Sequence, residues 1–255
     1  MGKVNSYGWK AVIGSSIGYA MDGFDLLILG FMLSLISGDL GLTTGQAGSL
    51  VTWTLVGAVI GGLVFGSLSD KFGRVRVLTW TIVLFAVFTG LCAFAQGYWD
   101  LLIFRTIAGI GLGGEFGIGM VLAAEAWPAQ HRAKATSYVA IGWQIGVLAA
   151  AILTPLLLPH IGWRGMFMVG VIPALVAWIF RSRLHEPEIF VQAQENQEDS
   201  YKNSFKLLVK DIKTTKTSIG VTILTSVQNF GYYGIMIWLP NFLSKQLGFS
   251  LTKSG

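Results

Sequence analysis

Seven apolar stretches, each as long as a membrane-crossing helix, constrain this chain more than any other feature of its sequence. They cover residues 11–37, 47–68, 77–97, 101–124, 137–158, 163–182 and 217–243. A helix needs roughly 20 apolar residues to cross a hydrocarbon layer about 30 Å thick. Only 12% of the residues are charged, about half the fraction of a soluble domain. This excludes a soluble enzyme, a disordered chain and a disulfide-rich secreted module, and it predicts an all-α membrane protein.

The basic residues predict how these spans are oriented. Most of the 18 Lys and Arg residues fall on one side if the N-terminus is cytoplasmic, and Arg181 is counted there as a loop residue. Cytoplasmic loops carry such an excess. We therefore expect a multi-pass protein of the plasma membrane with a cytoplasmic N-terminus. The net charge of +5 is then a property of the loops, and we expect a lipid bilayer and no nucleic acid as its partner.

One long polar segment divides the chain. We expect a six-helix transmembrane bundle over residues 1–182, a cytoplasmic linker over 183–216, and a seventh transmembrane helix with the start of a truncated second half over 217–255. The missing C-terminal half is then an expected partner. Helical spacing within the linker predicts a basic amphipathic helix on the inner leaflet. Its apolar face is Phe205, Leu208, Val209 and Ile212, and its basic face is Lys202, Lys206, Lys210 and Lys213.

The tight turn between the second and third spans carries a specific motif, Gly66-Ser-Leu-Ser-Asp70-Lys71-Phe-Gly73-Arg74-Val-Arg76. Gly73 permits the turn, and Asp70 can accept hydrogen bonds from helix-end amides or pair with a basic group. At the end of the fourth span, Glu125 can pair with Arg74 or with Arg132. We expect these residues to form an inner gate whose salt bridges break as the molecule changes conformation.

This turn resembles the G-x-x-x-D-R/K-x-G-R signature of the major facilitator superfamily, and Arg105-x-x-x-Gly109-x-Gly111-x-Gly113 resembles that family's fourth-helix signature. One departure is Val75, where the family commonly has a basic residue that here falls at Arg76. Finer patterns, Asp22-Gly-Phe-Asp25 and Gly162-Trp-Arg-Gly-Met-Phe167 among them, resemble the proton-coupled metabolite symporters, with the sialate and monocarboxylate branch before the aromatic-acid branch. The resemblance implies the major facilitator fold, with a six-helix N-terminal bundle of 3+3 inverted repeats and the first helix of the C-terminal half.

Four ionisable residues, Asp22, Asp25, Arg105 and Glu115, lie within the predicted spans, where such groups are costly and mark functional sites. Asp22 and Asp25 are three residues apart and share one helix face. Two like charges discourage each other from ionising, so this pair can bind and release a proton. The alternative is a pair of structural carboxylates that cap a helix break at Gly23.

Arg105 and Asp25 fall at matching depths, which predicts that they pair. Protonation of Asp25 would then release the guanidinium for a substrate carboxylate; the alternative is a permanent buried salt bridge. Glu115 lies nearer the cytoplasm at the depth of Gln144, so it can accept a hydrogen bond from that amide or relay the proton inward. A polar cluster on the seventh span completes the predicted substrate site: Gln228, Asn229, Tyr232 and Tyr233.

Glycines in the fourth span, Gly109-Ile-Gly-Leu-Gly-Gly114, match a dinucleotide-binding pattern, but they lie mid-membrane and not at the mouth of a soluble helix. We interpret them as helix-packing residues, as we do the small-xxx-small pairs Gly57/Gly61, Gly62/Gly66, Gly113/Gly117 and Gly142/Gly146. No nucleophile–base pair or metal cluster has usable spacing. We therefore expect no enzyme, cofactor or metal.

The predicted function is proton-coupled symport of a small organic anion: Asp22, Asp25 and Glu115 carry the proton, and Arg105, Gln144 and the span-seven cluster bind the substrate. Two alternatives remain open. One is a proton-independent facilitator of a neutral solute such as a sugar, in which the carboxylates accept hydrogen bonds from the sugar. The other is a truncated membrane fragment that does not transport.

Overall fold

The computed structural model describes residues 5–182, 184–195 and 209–247, and this part of the chain is helical without a strand. The helices are α1 Ser6–Asp39, α2 Thr44–Phe72, α3 Arg74–Cys92, α4 Tyr98–Glu125, α5 Arg132–Arg181, α6 Glu188–Glu195 and α7 Ile212–Leu247, with a 3₁₀ turn at Ala129–His131 before α5. The first two spans extend a few residues beyond their predicted limits. The third ends earlier than predicted, at Cys92 instead of residue 97, because a turn over residues 93–97 leads into α4.

Side chains next to the helix starts satisfy the backbone amides that a first turn leaves unpaired. The Asn5 side chain accepts a hydrogen bond from the Gly8 amide at 2.8 Å. Thr43 and Gln46 form a reciprocal capping box at the start of α2. Before α7, Asp211 accepts from the amide and the hydroxyl of Thr214 at 2.8 and 2.9 Å. These bonds lower the pKa of the Asp211 carboxyl.

A reversal at Gly162 divides α5 into two membrane-crossing arms. Gly162 has φ 64° and ψ 179°, which is not helical, and a side chain strongly disfavours that φ. Just after it, Trp163 donates to Asp39 at the end of α1 (3.0 Å). At the end of α5, Arg181 donates to the Gly14 carbonyl near the start of α1 (3.1 Å). The second arm therefore runs antiparallel to α1, which matches the predicted fifth and sixth spans.

Five helices of the described chain are long and apolar enough to cross a membrane: α1 to α4, and residues 129–181 taken as one. Because the last of these reverses at Gly162, they supply six crossings. The predicted seventh span lies within α7, but composition alone does not qualify this helix. Its polar residues Gln228 and Asn229 lower the hydropathy. That α7 crosses the membrane stays a prediction.

Helix α1 lies at the centre of the bundle, with α4 and both arms of α5 packed on it, while α2 and α3 pack on α4. In the most apolar window of α1, 78% of the residues are buried, against 28% in α2. Side chains such as Val59, Leu63 and Leu148 point outward and are more than half exposed. An apolar exterior around a partly polar centre is the reverse of a soluble bundle and suits a lipid environment.

The linker differs from the prediction in two ways. Arg181 is not a loop cation, since it is fully buried at the end of α5. The sequence reading also missed α6, which places Phe190 against the bundle with 3% of its surface exposed. Most of the predicted basic amphipathic helix, including Lys202, Phe205, Lys206 and Leu208, lies outside the described residues. The division into bundle, linker and seventh helix stays a prediction.

Candidate functional site

One face of α1 carries a row of small and acidic residues: Ser15, Gly18, Asp22 and Asp25. Spacings of three and four residues bring them onto a single helix face, and at 1.5 Å per residue the row is about 15 Å long. Ser15, Asp22 and Asp25 are each at most 2% exposed. The row faces α4 and the second arm of α5, which supply the partners described next.

Asp25 and Arg105 form a bidentate ion pair. The Asp25 oxygens accept from Arg105 Nη1 at 3.0 Å and from Nη2 at 2.6 Å, and both side chains are fully buried. The Phe167 ring lies 5.7 Å from the guanidinium carbon, which adds a cation–π contact. This confirms the pairing predicted from depth. A parallel fork of two bonds is the strongest geometry that Arg and a carboxylate can adopt.

Glu115 and Arg181 form a second buried ion pair, which the sequence reading did not predict. Glu115 Oε1 contacts Arg181 Nη2, and both side chains are at most 1% exposed. Glu115 also accepts from the Thr81 hydroxyl at 3.1 Å. The predicted partner of Glu115, Gln144, is exposed instead. It follows Trp143, which is buried, and one residue turns a helix by about 100°, so the Gln144 side chain faces outward.

Asp22 lies between the two ion pairs. It is 1% exposed, and neither of its oxygens has a hydrogen-bond partner among the described residues. The charged groups that act on it are Glu115, Arg181 and Asp25. An ionised carboxylate without a partner is among the most costly groups to bury. Asp22 is therefore the group in this bundle whose charge is least compensated.

An aromatic cluster, Tyr19, Trp143, Tyr232 and Tyr233, lies beside Asp22 where α1, α5 and α7 meet. Tyr19 and Tyr233 both interact electrostatically with Asp22. Trp143 donates its indole N–H to the Tyr232 hydroxyl at 2.7 Å. Ring centroids are 5.1 Å apart for Tyr19 and Trp143 and 5.5 Å apart for Tyr232 and Tyr233. The two tyrosines of the predicted span-seven cluster thus lie near the buried charges.

The two amides of that cluster lie elsewhere. Gln228 and Asn229 are exposed, and Asn229 donates to the Thr225 carbonyl of its own helix at 2.9 Å. The structure therefore does not bring the predicted set of Arg105, Gln144, Gln228, Asn229, Tyr232 and Tyr233 together as one group. Arg105 is buried with Asp25, and the tyrosines join Trp143.

The predicted gate residues meet at the end of the bundle where α1 begins. Arg74 is 3% exposed and contacts Asp70 at 2.8 Å and Glu125 at 3.1 Å. It also donates to the Ser69 carbonyl at 2.8 Å. Of the two predicted partners of Glu125, the structure supplies Arg74, while Arg132 is exposed. Arg74 at the start of α3 thus contacts the end of α2 through Asp70 and the end of α4 through Glu125, as the motif predicts.

The remaining motif residues have other roles. Gly73, with φ 108°, connects α2 to α3. Lys71 is exposed and lies 5.2 Å from the Phe72 ring, and a Cβ added to Gly66 meets nothing within 4 Å. Val75 is buried in an apolar cluster whereas Arg76 is exposed. At the departure from the family motif, this chain therefore has an apolar side chain in the core at position 75 and an exposed basic one at position 76.

Glu186 contacts the predicted gate motif, and the sequence did not predict this contact. Its carboxylate accepts from the backbone amides of Arg74, Val75 and Arg76 at 2.7, 3.2 and 3.0 Å. These are unpaired amides of the first turn of α3, where a negative charge is favourable. No sequence signal pointed to this contact, because its donors are backbone amides. Glu186 thus joins the linker to the motif.

Glu186→Gln is expected to loosen the first turn of α3, since the amide side chain loses the negative charge and one of the two acceptor oxygens. Charge-assisted bonds of this kind contribute about 1.5–3 kcal/mol each. We expect the amides of residues 74–76 to exchange with deuterium at least tenfold faster, which corresponds to about 1.4 kcal/mol. The exposed neighbour Glu188 is the control, and Glu188→Gln should leave exchange unchanged. Equal exchange in both variants would contradict the role of Glu186.

The chain is similar to known transport proteins. It is 78% identical over 258 residues to a Haemophilus influenzae protein whose assignment as a metabolite transport protein is itself provisional, covering 99% of this chain and 63% of that one. It is 35% identical over 207 residues to the sialic acid transporter NanX of Escherichia coli, covering 81% and 49%. Among solved structures, a D-xylose-proton symporter matches 98% of this chain and 64% of its own, with a TM-score of 0.77 at 23% identity.

These relatives are longer than the chain, which spans about 63% of the length of the Haemophilus influenzae protein. The helices therefore correspond to the N-terminal part of a larger fold. The profile of the Major Facilitator Superfamily matches residues 15–255, nearly the whole sequence. The chain therefore belongs to the major facilitator superfamily, a family of transport proteins and not of enzymes.

Proposed function

We propose that this chain forms the proton-coupling half of a symporter that moves a small organic anion together with a proton. The observation that carries the proposal is the charge balance of the buried site. Among the described residues, three carboxyls, Asp22, Asp25 and Glu115, are buried in this site with two guanidiniums, Arg105 and Arg181. A third buried guanidinium, Arg74, pairs instead with Asp70 and Glu125. Burial of an unpaired charge is costly, so neutrality of this group requires one proton. Asp22, which has no hydrogen-bond partner in the described part of the chain, is the site that we assign to this proton.

The substrate side of the proposal rests on Arg105 and the aromatic cluster. In the substrate-binding step the proton moves on to Asp25, which releases the fork of Arg105, and this fork matches a carboxylate. The nearby rings of Tyr232 and Tyr233 supply apolar faces for the body of an organic acid. The similarity to a sialic acid transporter supports an acidic substrate. The excess of basic residues on one side supports a cytoplasmic N-terminus in the plasma membrane.

A specific observation favours a second candidate, a facilitator for a neutral solute. Both terminal nitrogens of Arg105 are already bonded to Asp25, as they would be in a permanent salt bridge. In that case the guanidinium never meets a substrate carboxylate. Transport would then neither need a proton gradient nor discriminate in favour of acids.

Uptake by the carrier that contains this chain separates the two. We expect proteoliposomes to accumulate a radiolabelled organic acid such as sialate only when the inside is more alkaline than the outside. In Asp22→Asn, accumulation should fall to the level without a gradient, while exchange of the acid across the membrane persists. The control is Asp100→Asn, an exposed carboxylate at the other end of the bundle, which should accumulate normally. Gradient-independent uptake of a neutral sugar would favour the facilitator, and wild-type coupling in Asp22→Asn would overturn the assignment of the proton.

A further inference from the structure

Arg181 has more donors than its present partners use. Its Nη2 atom donates to the Gly14 carbonyl and contacts Glu115. Its Nε and Nη1 atoms have no hydrogen-bond partner within the described part of the chain, although the side chain is fully buried. A guanidinium has five N–H donors in a fixed fork, so this one is only partly satisfied. Buried donors without acceptors are rare.

Asp22 lacks hydrogen-bond donors among the described residues, just as two Arg181 nitrogens lack acceptors. Its two oxygens accept no hydrogen bond from any residue that the structure describes, and Arg181 is among the charges that act on it. Asp22 lies one helical turn from Gly18, about 6 Å along α1. The Glu115–Arg181 pair closes directly over Gly18, since a Cβ added there would collide with Glu115 Oε1 and Arg181 Nη2. A guanidinium that crosses α1 at Gly18 is thus one turn away from a second carboxylate.

We propose that Arg181 is a positioning residue shared between Glu115 and Asp22, so that its position decides which of these two carboxyls holds the proton. This inference rests on the proposed function, because it assumes that one proton is bound in the buried site. In the arrangement described above, Arg181 pairs with ionised Glu115 and the proton is on Asp22. When Arg181 turns toward Asp22, Asp22 is ionised and Glu115 carries the proton.

The exchange conserves charge. One O–H bond breaks at Asp22 and one forms at Glu115, and the guanidinium follows the negative charge. The three groups are neutral in sum before and after the step. Asp25 stays paired with Arg105 throughout. The proton moves toward the end of the bundle where α1 begins, which is the cytoplasmic end in the proposed orientation.

The groups that face Asp22 come from every element packed on it, and none of the others duplicates Arg181. They are Tyr19 and Asp25 on α1, Glu115 on α4, Arg181 at the end of α5, and Tyr233 on α7. The other buried guanidinium of the group, Arg105, is held in a bidentate pair. Among these groups, Arg181 is therefore the cation that can stabilise an ionised Asp22 by changing its position.

Infrared difference spectroscopy of the purified chain in lipid nanodiscs tests this, because a protonated carboxyl has a C=O stretching band that an ionised one lacks. At neutral pH we expect one buried carboxyl band in the wild type, absent in Asp22→Asn. The decisive variant is Glu115→Gln. It frees Arg181 to pair with Asp22, so the band should disappear although Asp22 is unchanged. In Glu115→Gln/Arg181→Gln, which again lacks a cation for Asp22, the band should return at wild-type intensity.

Gly18→Ala perturbs the same contact without changing any charge. Its Cβ displaces the Glu115–Arg181 pair, so we expect the Asp22 band to shift in frequency or to weaken. Gly117→Ala, where an added Cβ meets nothing within 4 Å, is the control and should leave the spectrum unchanged. Because Glu115→Gln is nearly isosteric and Gly18→Ala leaves all charges in place, the test does not depend on Arg181→Gln folding alone.

The outcomes separate this inference from the proposed function. If Asp22→Asn removes the band but Glu115→Gln retains it, Arg181 does not move to Asp22 and the inference is overturned, while the proton on Asp22 stands. If the wild type has no band, or if Asp22→Asn leaves the band in place, the proton is not on Asp22 and the basis of the proposed function fails with it. A band lost in Glu115→Gln and restored in the double variant supports both.

Discussion

Arg105→Gln is expected to lower the free energy of unfolding of the bundle by about 3–5 kcal/mol, because it leaves the Asp25 carboxylate buried without a cation. The pair is fully buried, with bonds of 3.0 and 2.6 Å. Removal of the guanidinium therefore leaves the desolvation cost of the Asp25 charge uncompensated. The midpoint of thermal unfolding in detergent, followed by circular dichroism, measures the effect.

Two further variants make this expectation specific. Asp25→Asn/Arg105→Gln removes both charges. The midpoint of its thermal unfolding should therefore be close to that of the wild type. Arg164→Gln breaks the ion pair with Asp39, whose side chains are 45% and 49% exposed, and such pairs contribute only about 0–1 kcal/mol. If Arg105→Gln and Arg164→Gln lower the midpoint equally, the Asp25–Arg105 pair is not buried in the folded protein as described.

The sequence was most informative where a single physical quantity decides the outcome. Apolar length alone predicts the first six crossings, since a helix of that length satisfies all its backbone groups within the segment in lipid. Depth arithmetic alone predicts the Asp25–Arg105 pair, because both residues lie within regular helices whose rise is fixed. At the helix ends the same reasoning left two partners for Glu125, Arg74 and Arg132, and the structure has the Arg74 contact.

The wrong predictions for Gln144 and Arg181 share one physical cause. The sequence does not fix the direction in which a side chain leaves its helix. Gln144 was placed with Glu115 by depth, but depth does not fix the rotation about the helix axis, and its neighbour Trp143 takes the buried face. Arg181 directly follows an apolar span, so it was read as one of the basic loop residues of the positive-inside pattern. Its long side chain instead turns back into the bundle.

Glu186 was missed for a related reason. Its hydrogen-bond donors are three backbone amides at the start of α3, far away in the sequence. Every residue type except Pro carries a backbone amide, so the sequence does not mark these donors. Only the fold brings residue 186 next to residue 74. Gly18 was not singled out from the sequence either, and only the structure shows that the Glu115–Arg181 pair crosses α1 there.

The second large effect on stability is expected at the glycines of α4 that pack against α2. A Cβ added to Gly113 would collide with the Ala58 carbonyl of α2, and one added to Gly109 would collide with the Thr54 carbonyl. Such backbone contacts do not relax by a rotamer change, unlike contacts with the end of a flexible side chain. The two helices must separate, and overpacking of this kind costs roughly 1–3 kcal/mol or more.

We therefore expect Gly113→Ala to lower the thermal midpoint strongly and to weaken the α2–α4 contact on which the gate turn is built. The matched control lies one turn along the same helix. Gly117 belongs to the same small-xxx-small pair, yet a Cβ there meets nothing within 4 Å. Gly117→Ala should be neutral or raise stability slightly, because Ala favours a helix over Gly by about 1 kcal/mol. If both variants behave alike, the spacing motif alone governs packing, and the close approach of α4 to Ala58 does not hold in the membrane.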